Sequence, residues 1–167
     1  QRQADGATAG GLAPVSGIDK LFLRQWLRWL ETTGPEIHGS CHPIPQLSLV
    51  NQQIPTAELR PQGAAQSDED DLMPYEVLDF IERAAIRDHQ GPASILELLE
   101  ARFPDRTRED RLLWTRRFFT LWSRNQRKLE RYAPGFHLDD ENLDPKTWCR
   151  WPILSGGFAD ELNELES

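Results

Sequence analysis

Apolar residues recur at helical spacing over most of this chain. Between residues 18 and 31, Phe22, Trp26, Trp29 and Leu30 fall at i, i+4, i+7 and i+8, with Arg24, Gln25 and Arg28 opposite. That spacing predicts an amphipathic helix, and Gly34-Pro35 ends it. Residues 36–45, rich in Pro, Gly and His, read as loop. Pro74 suits the first turn of a second helix, running to about Asp88, with Val77, Leu78, Ile81, Ala84 and Ala85 on its buried face. Gly91-Pro92 breaks the chain and opens a short third helix with Ile95, Leu98 and Leu99 inward. Thr107 with Asp110 resembles a capping box at the head of a long helix reaching about Arg131. Its apolar stripe is Trp114, Phe118, Leu121 and Trp122. Beyond Pro134 the pattern turns irregular. Strand is confined to a short segment around residues 12–15, and neither repeats nor coiled-coil heptads occur. The chain therefore reads as mostly α.

Composition adds bounds. The 167 residues suffice for one domain with its own core, and 38% apolar with 28% charged residues is ordinary for a globular protein. No apolar run approaches the ~18 residues of a membrane span, and no signal peptide opens the chain. Gln1 at the start, with a Gly/Ala-rich run soon after, reads as a cut through a longer protein. Two cysteines, Cys41 and Cys149, are too few for a disulfide framework, which makes a reducing cytoplasm the expected setting.

The net charge of −8 is unevenly spread. Residues 58–82 hold eight acids against Arg60 alone, and the tail from His137 is acidic too. Between them, residues 102–131 carry ten Lys or Arg against Asp105, Glu109, Asp110 and Glu130. Such a basic helix answers acidic neighbours or faces a phosphate-bearing ligand. Nucleic acid is disfavoured, because Trp114, Phe118 and Trp122 recur every four residues as a core stripe and the chain is acidic overall. His38, Cys41 and His42 supply three neighbouring ligand types where a tetrahedral site needs four, or three and water, so a surface loop is the reading and no metal site is expected. The acids at 68–71 sit before the Pro74 helix, where negative charge suits the helix dipole.

One stretch is more specific. Residues 51–79 read NQQIPTAELRPQGAAQSDEDDLMPYEVLD. Ile54-Pro55 is followed by Thr56-Ala57-Glu58-Leu59, an acidic polar loop, and the helix start at Pro74-Tyr75. This resembles the segment after the ATP-binding core of NAD synthetases, with its P-[ST]-A-[ED]-L, its polar insertion and its L-x-x-Y-x-x-[LI]-D. Residues 10–29 (GGLAPVSGIDKLFLRQWLRW) are similar to the family's G-x-L-x-P-[IL]-x-x-[IL]-x-K. Residues 117–134 (RFFTLWSRNQRKLERYAP) resemble its K-R-containing segment, and residues 136–158 look like the tail of the bacterial glutamine-dependent subgroup.

The resemblance implies the C-terminal portion of an α/β adenine-nucleotide α-hydrolase-like, Rossmann-like synthetase domain. It divides the chain into residues 1–89 as the end of the ATP- and dinucleotide-binding core, 90–134 as a helical segment and 135–167 as a tail. It implies a ligase in which ATP, as its Mg2+ complex, adenylates the carboxylate of nicotinic acid adenine dinucleotide and ammonia from glutamine then gives NAD. Bringing a carboxylate against a triphosphate demands cations and oriented donors. Lys20 falls on the family's ATP-contacting lysine and Thr56 on the hydroxyl of P-[ST]-A-[ED]-L. Lys128 lies close to the lysine that reaches the dinucleotide. Arg127 stands where ammonia-dependent members carry His, and Leu129 replaces the usual Arg. Ala7 and Gly11 depart from the acidic positions of the family's glycine-rich loop. Neither the pyrophosphate loop S-G-G-x-D-S nor a glutaminase domain occurs in these residues, since Ser155 to Asp160 has its Asp one place late. The expectation is a homo-oligomeric, cytoplasmic synthetase whose 167-residue part is inactive alone and exposes the face of Phe22, Trp26 and Trp29. The rival is a non-catalytic helical fragment or assembly module.

Overall fold

In the computed structural model, Val15 and residues 18–53, 72–129 and 156–165 are described, with residues 126–129 described as backbone only. The described residues are mostly helical, and the chain divides into two compact units, Asp19–Tyr75 and a second made of Gln1–Ile18 with Glu76–Ser167.

In the first unit, α1 spans Lys20–Thr32. Asp19 caps it, its Oδ1 accepting the Phe22 N–H at 2.6 Å and satisfying one of the amides a helix start leaves open. The C-terminus closes on Gly34, whose N–H donates to the Trp29 carbonyl at 2.9 Å from a φ of +69°. Next comes a hairpin, β1 (Glu36–Ile37) and β2 (Ser40–Cys41), pairing Glu36 with Cys41 and Ile37 with Ser40. The residues read as loop thus hold antiparallel structure. The cause is local: His38 and Gly39 both take positive φ, +53° and +79°, as a two-residue turn matched to strand twist requires. The chain then returns along α1, with the Ile44 N–H on the Leu30 carbonyl at 2.8 Å. A 3-10 turn (Pro45–Leu47) and the single-turn α2 (Ser48–Asn51) pack on α1. Asn51 Nδ2 donates to the Leu27 carbonyl at 3.2 Å and to Glu31 Oε2 at 2.6 Å.

No residue of α1 is buried. Phe22, Trp26 and Trp29 remain 49%, 43% and 42% exposed, so the stripe its periodicity predicts is present but open.

In the second unit, α3 (Tyr75–Glu82, begun by the last residue of the first unit) runs into a wide turn at Arg83–Arg87. The predicted α-helix to Asp88 therefore changes geometry, with the Asp88 N–H reaching the Arg83 carbonyl at 3.1 Å, five residues back. Ala84, Ala85 and Ile86 are all buried. Three consecutive inward residues exceed the arc one α-helical turn presents to a core, and the wider turn accommodates them. Gly91 precedes α4 (Pro92–Arg102), in which Ile95 and Leu99 are wholly buried. Leu98 is 40% exposed and so is corrected from an inward to an outer position. One residue turns a helix by about 100°, so adjacent leucines seldom both face the core.

The long α5 (Arg108–Leu129) starts at Thr107, whose Oγ1 accepts the Asp110 N–H at 3.1 Å, the forward half of the expected capping box. Among its residues with described side chains, Arg111, Trp114, Thr115, Phe118 and Phe119 are buried, while Leu121 and Trp122 are half-buried. Phe119 meets Phe158 with ring centroids 4.6 Å apart, and α6 (Ala159–Glu164) buries Leu162 and packs on α4. α6 thus follows Phe158 directly and spans six residues. The strand expected around 12–15, the glycine-rich loop, the acidic run 68–71 and the tail 135–155 lie outside the described residues, apart from Val15.

Candidate functional site

Of the four residues singled out for ligand binding, Lys20 alone has a described side chain. Thr56 is outside the described residues, and Arg127 and Lys128 are described only as backbone of α5. The structure therefore gives no geometry that brings the four together.

Lys20 is the first residue of α1, placed there because Asp19 caps the helix. Its side chain is exposed, yet its Nζ stands 5.3 Å from the centroid of the Tyr75 ring. Arg24, one turn further along α1, brings its guanidinium carbon 5.1 Å from the same centroid. Tyr75 itself is 4% exposed and follows the buried Met73. Two cations thus face one buried aromatic ring, whose electron-rich face attracts them. The periodicity set Arg24 on the polar side of α1 and took Tyr75 as a motif residue only. The four-residue interval between Lys20 and Arg24 was the available signal.

Among the described residues, the remaining chemistry-bearing side chains assemble no second centre. His38 and His42 flank the exposed Cys41 on the hairpin, and no group of three His, Cys, Asp or Glu able to hold a metal occurs among the described residues. Within the basic helix, Arg111 is buried; its Nη1 donates to the Phe103 carbonyl at 3.0 Å, and Nη2 lies 3.6 Å from Glu100. This cation ties the turn between α4 and α5, while its buried Nε has no hydrogen-bond partner among the described residues. At the end of the wide turn, Arg87 donates to Asp88 through Nε at 2.7 Å and Nη2 at 2.9 Å. Those bonds hold the Asp88 carboxyl below the ordinary aspartate range.

No family model matches the chain. Individual proteins do. A glutamine-dependent NAD(+) synthetase of Dictyostelium discoideum is 27% identical over 140 residues, which is 82% of this chain and 18% of that protein. That of Aquifex aeolicus (strain VF5) is 34% identical over 91 residues, 54% of this chain and 14% of the relative. The crystal structure of a glutamine-dependent NAD(+) synthetase from Cytophaga hutchinsonii superposes with a TM-score of 0.73 and 41% identity, covering 98% of this chain and 23% of that one. The chain is a homologue of part of a glutamine-dependent NAD(+) synthetase. It spans roughly a fifth of the length of these synthetases. The motif resemblance to the C-terminal part of the synthetase domain agrees with both the curated synthetases and the solved one.

Proposed function

We propose that this chain is a working part of NAD biosynthesis, contributing to the ATP and dinucleotide sites of a Rossmann-like synthetase domain. The observation that carries the reading is its 41% identity over 98% of its length with a solved glutamine-dependent NAD(+) synthetase.

In this reading the carboxylate of nicotinic acid adenine dinucleotide attacks the α-phosphorus of ATP. A carbon-bound oxygen gains a phosphorus bond, the α–β anhydride breaks, and pyrophosphate leaves. Ammonia then forms the amide bond at the carbonyl carbon, loses a proton and expels AMP. Glutamine is the source of the ammonia, released by a domain outside these residues. The chain's share is electrostatic. Lys20 neutralises phosphate charge and Thr56 donates from its hydroxyl, while Lys128 and Arg127 take the dinucleotide. ATP enters as its magnesium complex, and no step is assigned to the metal. The complete enzyme is a cytoplasmic homo-oligomer, with the segment near Lys128 completing a site close to a subunit interface.

The 167 residues by themselves contain no S-G-G-x-D-S pyrophosphate loop, and NAD formation by this chain alone is not expected. The test joins the chain to its upstream coding sequence and measures NAD formed from ATP, nicotinic acid adenine dinucleotide and either glutamine or ammonia. Activity that Lys20→Ala or Lys128→Ala lowers about 100-fold or more, the scale of lost transition-state charge stabilisation, supports the reading. A folded complete protein without activity favours the non-catalytic assembly module instead.

A further inference from the structure

The ring of Tyr75 collects two cations from one face of α1, Lys20 at 5.3 Å and Arg24 at 5.1 Å from its centroid. Like charges four residues apart on a helix repel each other. Here they also sit in the first turns of α1, where the backbone dipole is positive and no acidic residue occupies the first turn. Asp19, just outside the helix, uses an oxygen to cap the Phe22 amide. The ring face holds the two cations together, and a pair of cations so placed, with the Arg24 fork beside Lys20, matches an anion that carries several charged oxygens. Tyr75 is suited to the role because its burial and the neighbouring buried Met73 fix the ring, so the cations that settle on it are fixed in turn.

We propose that Arg24 is a second polyphosphate-binding cation beside Lys20, and that Tyr75 is the positioning residue that holds both. The proposal rests on the synthetase reading for the identity of the ligand as the triphosphate of ATP, while the geometry itself calls for a polyphosphate anion. A lysine in place of Arg24 preserves charge and loses the planar fork that pairs two phosphate oxygens. Phenylalanine in place of Tyr75 preserves the ring face and removes the hydroxyl. Leucine removes the face.

The experiment titrates the 167-residue chain with inorganic tripolyphosphate at low salt and follows the side-chain NMR resonances of Lys20 and Arg24, with chloride at matched ionic strength as control. Saturable shifts at both residues are expected. Arg24→Gln weakens binding about tenfold or more, the loss of one charge-assisted pair. Tyr75→Phe keeps the wild-type affinity and the upfield ring-current shift of the Lys20 Hε protons, and Tyr75→Leu loses both. Because Tyr75 is buried, Arg24→Gln, at a half-buried position, and the conservative Tyr75→Phe carry the test if Tyr75→Leu disturbs folding. No saturable response in the wild-type chain, an Arg24→Gln affinity equal to wild type, or a Tyr75→Phe chain that fails to bind while folded would each overturn the proposal. These readouts need no NAD formation, so failure of the synthetase reading in the complete enzyme and failure of this proposal are separate results.

Discussion

Gly34 shows how much one residue can decide. It stands at φ +69°, and a Cβ added there would overlap the His42 carbonyl, which is backbone and has no room to yield. The same residue ends α1 and lets the hairpin fold back, with the His42 N–H on the Pro35 carbonyl at 3.0 Å. Gly34→Ala is therefore expected to destabilise the chain by more than about 1 kcal/mol, combining a left-handed backbone cost with a steric clash. Urea unfolding followed by circular dichroism measures it. Gly39→Ala is the control, since Gly39 shares the positive φ but meets nothing within 4 Å; it is expected to show the backbone cost alone. Sequence reading marked Gly34-Pro35 as a helix stop, and the close approach of His42 was not legible there because it depends on where the hairpin returns.

At the scale of elements, α4 separates periodicity from packing. Ile95 and Leu99 are fully buried, whereas Leu98 is 40% exposed. Leu99→Ala is expected to cost about 2–5 kcal/mol, and Leu98→Ala well under half of that, since the cost follows the atoms withdrawn from water and the cavity left behind. Denaturant midpoints of the two variants, compared with wild type, decide it. The capped start of α5 was legible from Thr107, because a cap is a local hydrogen bond within three residues, whereas the equally local Asp19 cap of α1 was not, because the helix period read in the sequence begins at Ile18. The wide turn at Arg83–Arg87 was not, because it answers to which of Ala84, Ala85 and Ile86 the core admits. The hairpin at Glu36–Cys41 was missed for a different reason. His38-Gly39 is a poorer turn signal than Asn-Gly, and strands of two residues leave no alternation to read.

On the scale of the whole molecule, the contrast is between two units. The one from Glu76 onward has a core of Val77, Ile81, Ile95, Leu99, Phe119 and Leu162. The one from Asp19 to Tyr75 leaves the aromatic face of α1 open, with Phe22, Trp26 and Trp29 all exposed. Acrylamide is accordingly expected to quench Trp26 and Trp29 efficiently in this chain and Trp114, which is 8% exposed, poorly. Tryptophan-to-phenylalanine variants at 26 and 29 lower the quenchable fraction, and Trp114→Phe raises it, because a shielded emitter is removed. Joining the chain to its upstream sequence is expected to protect the first pair.

The sequence by itself carried the resemblance to NAD synthetases, through short motifs such as P-T-A-E-L and the Pro74-Tyr75 helix start, and it determined the main helices, through spacing and turn residues. These are local: a motif or a 3.6-residue period is complete within a few turns of chain. Only the tertiary structure decided that Leu98 faces outward, that Arg111 is buried on the Phe103 carbonyl, and that Tyr75 receives Lys20 and Arg24 on one ring. Those facts join residues as far as 55 positions apart in the numbering, and such contacts arise from how the chain returns on itself, which no local pattern encodes.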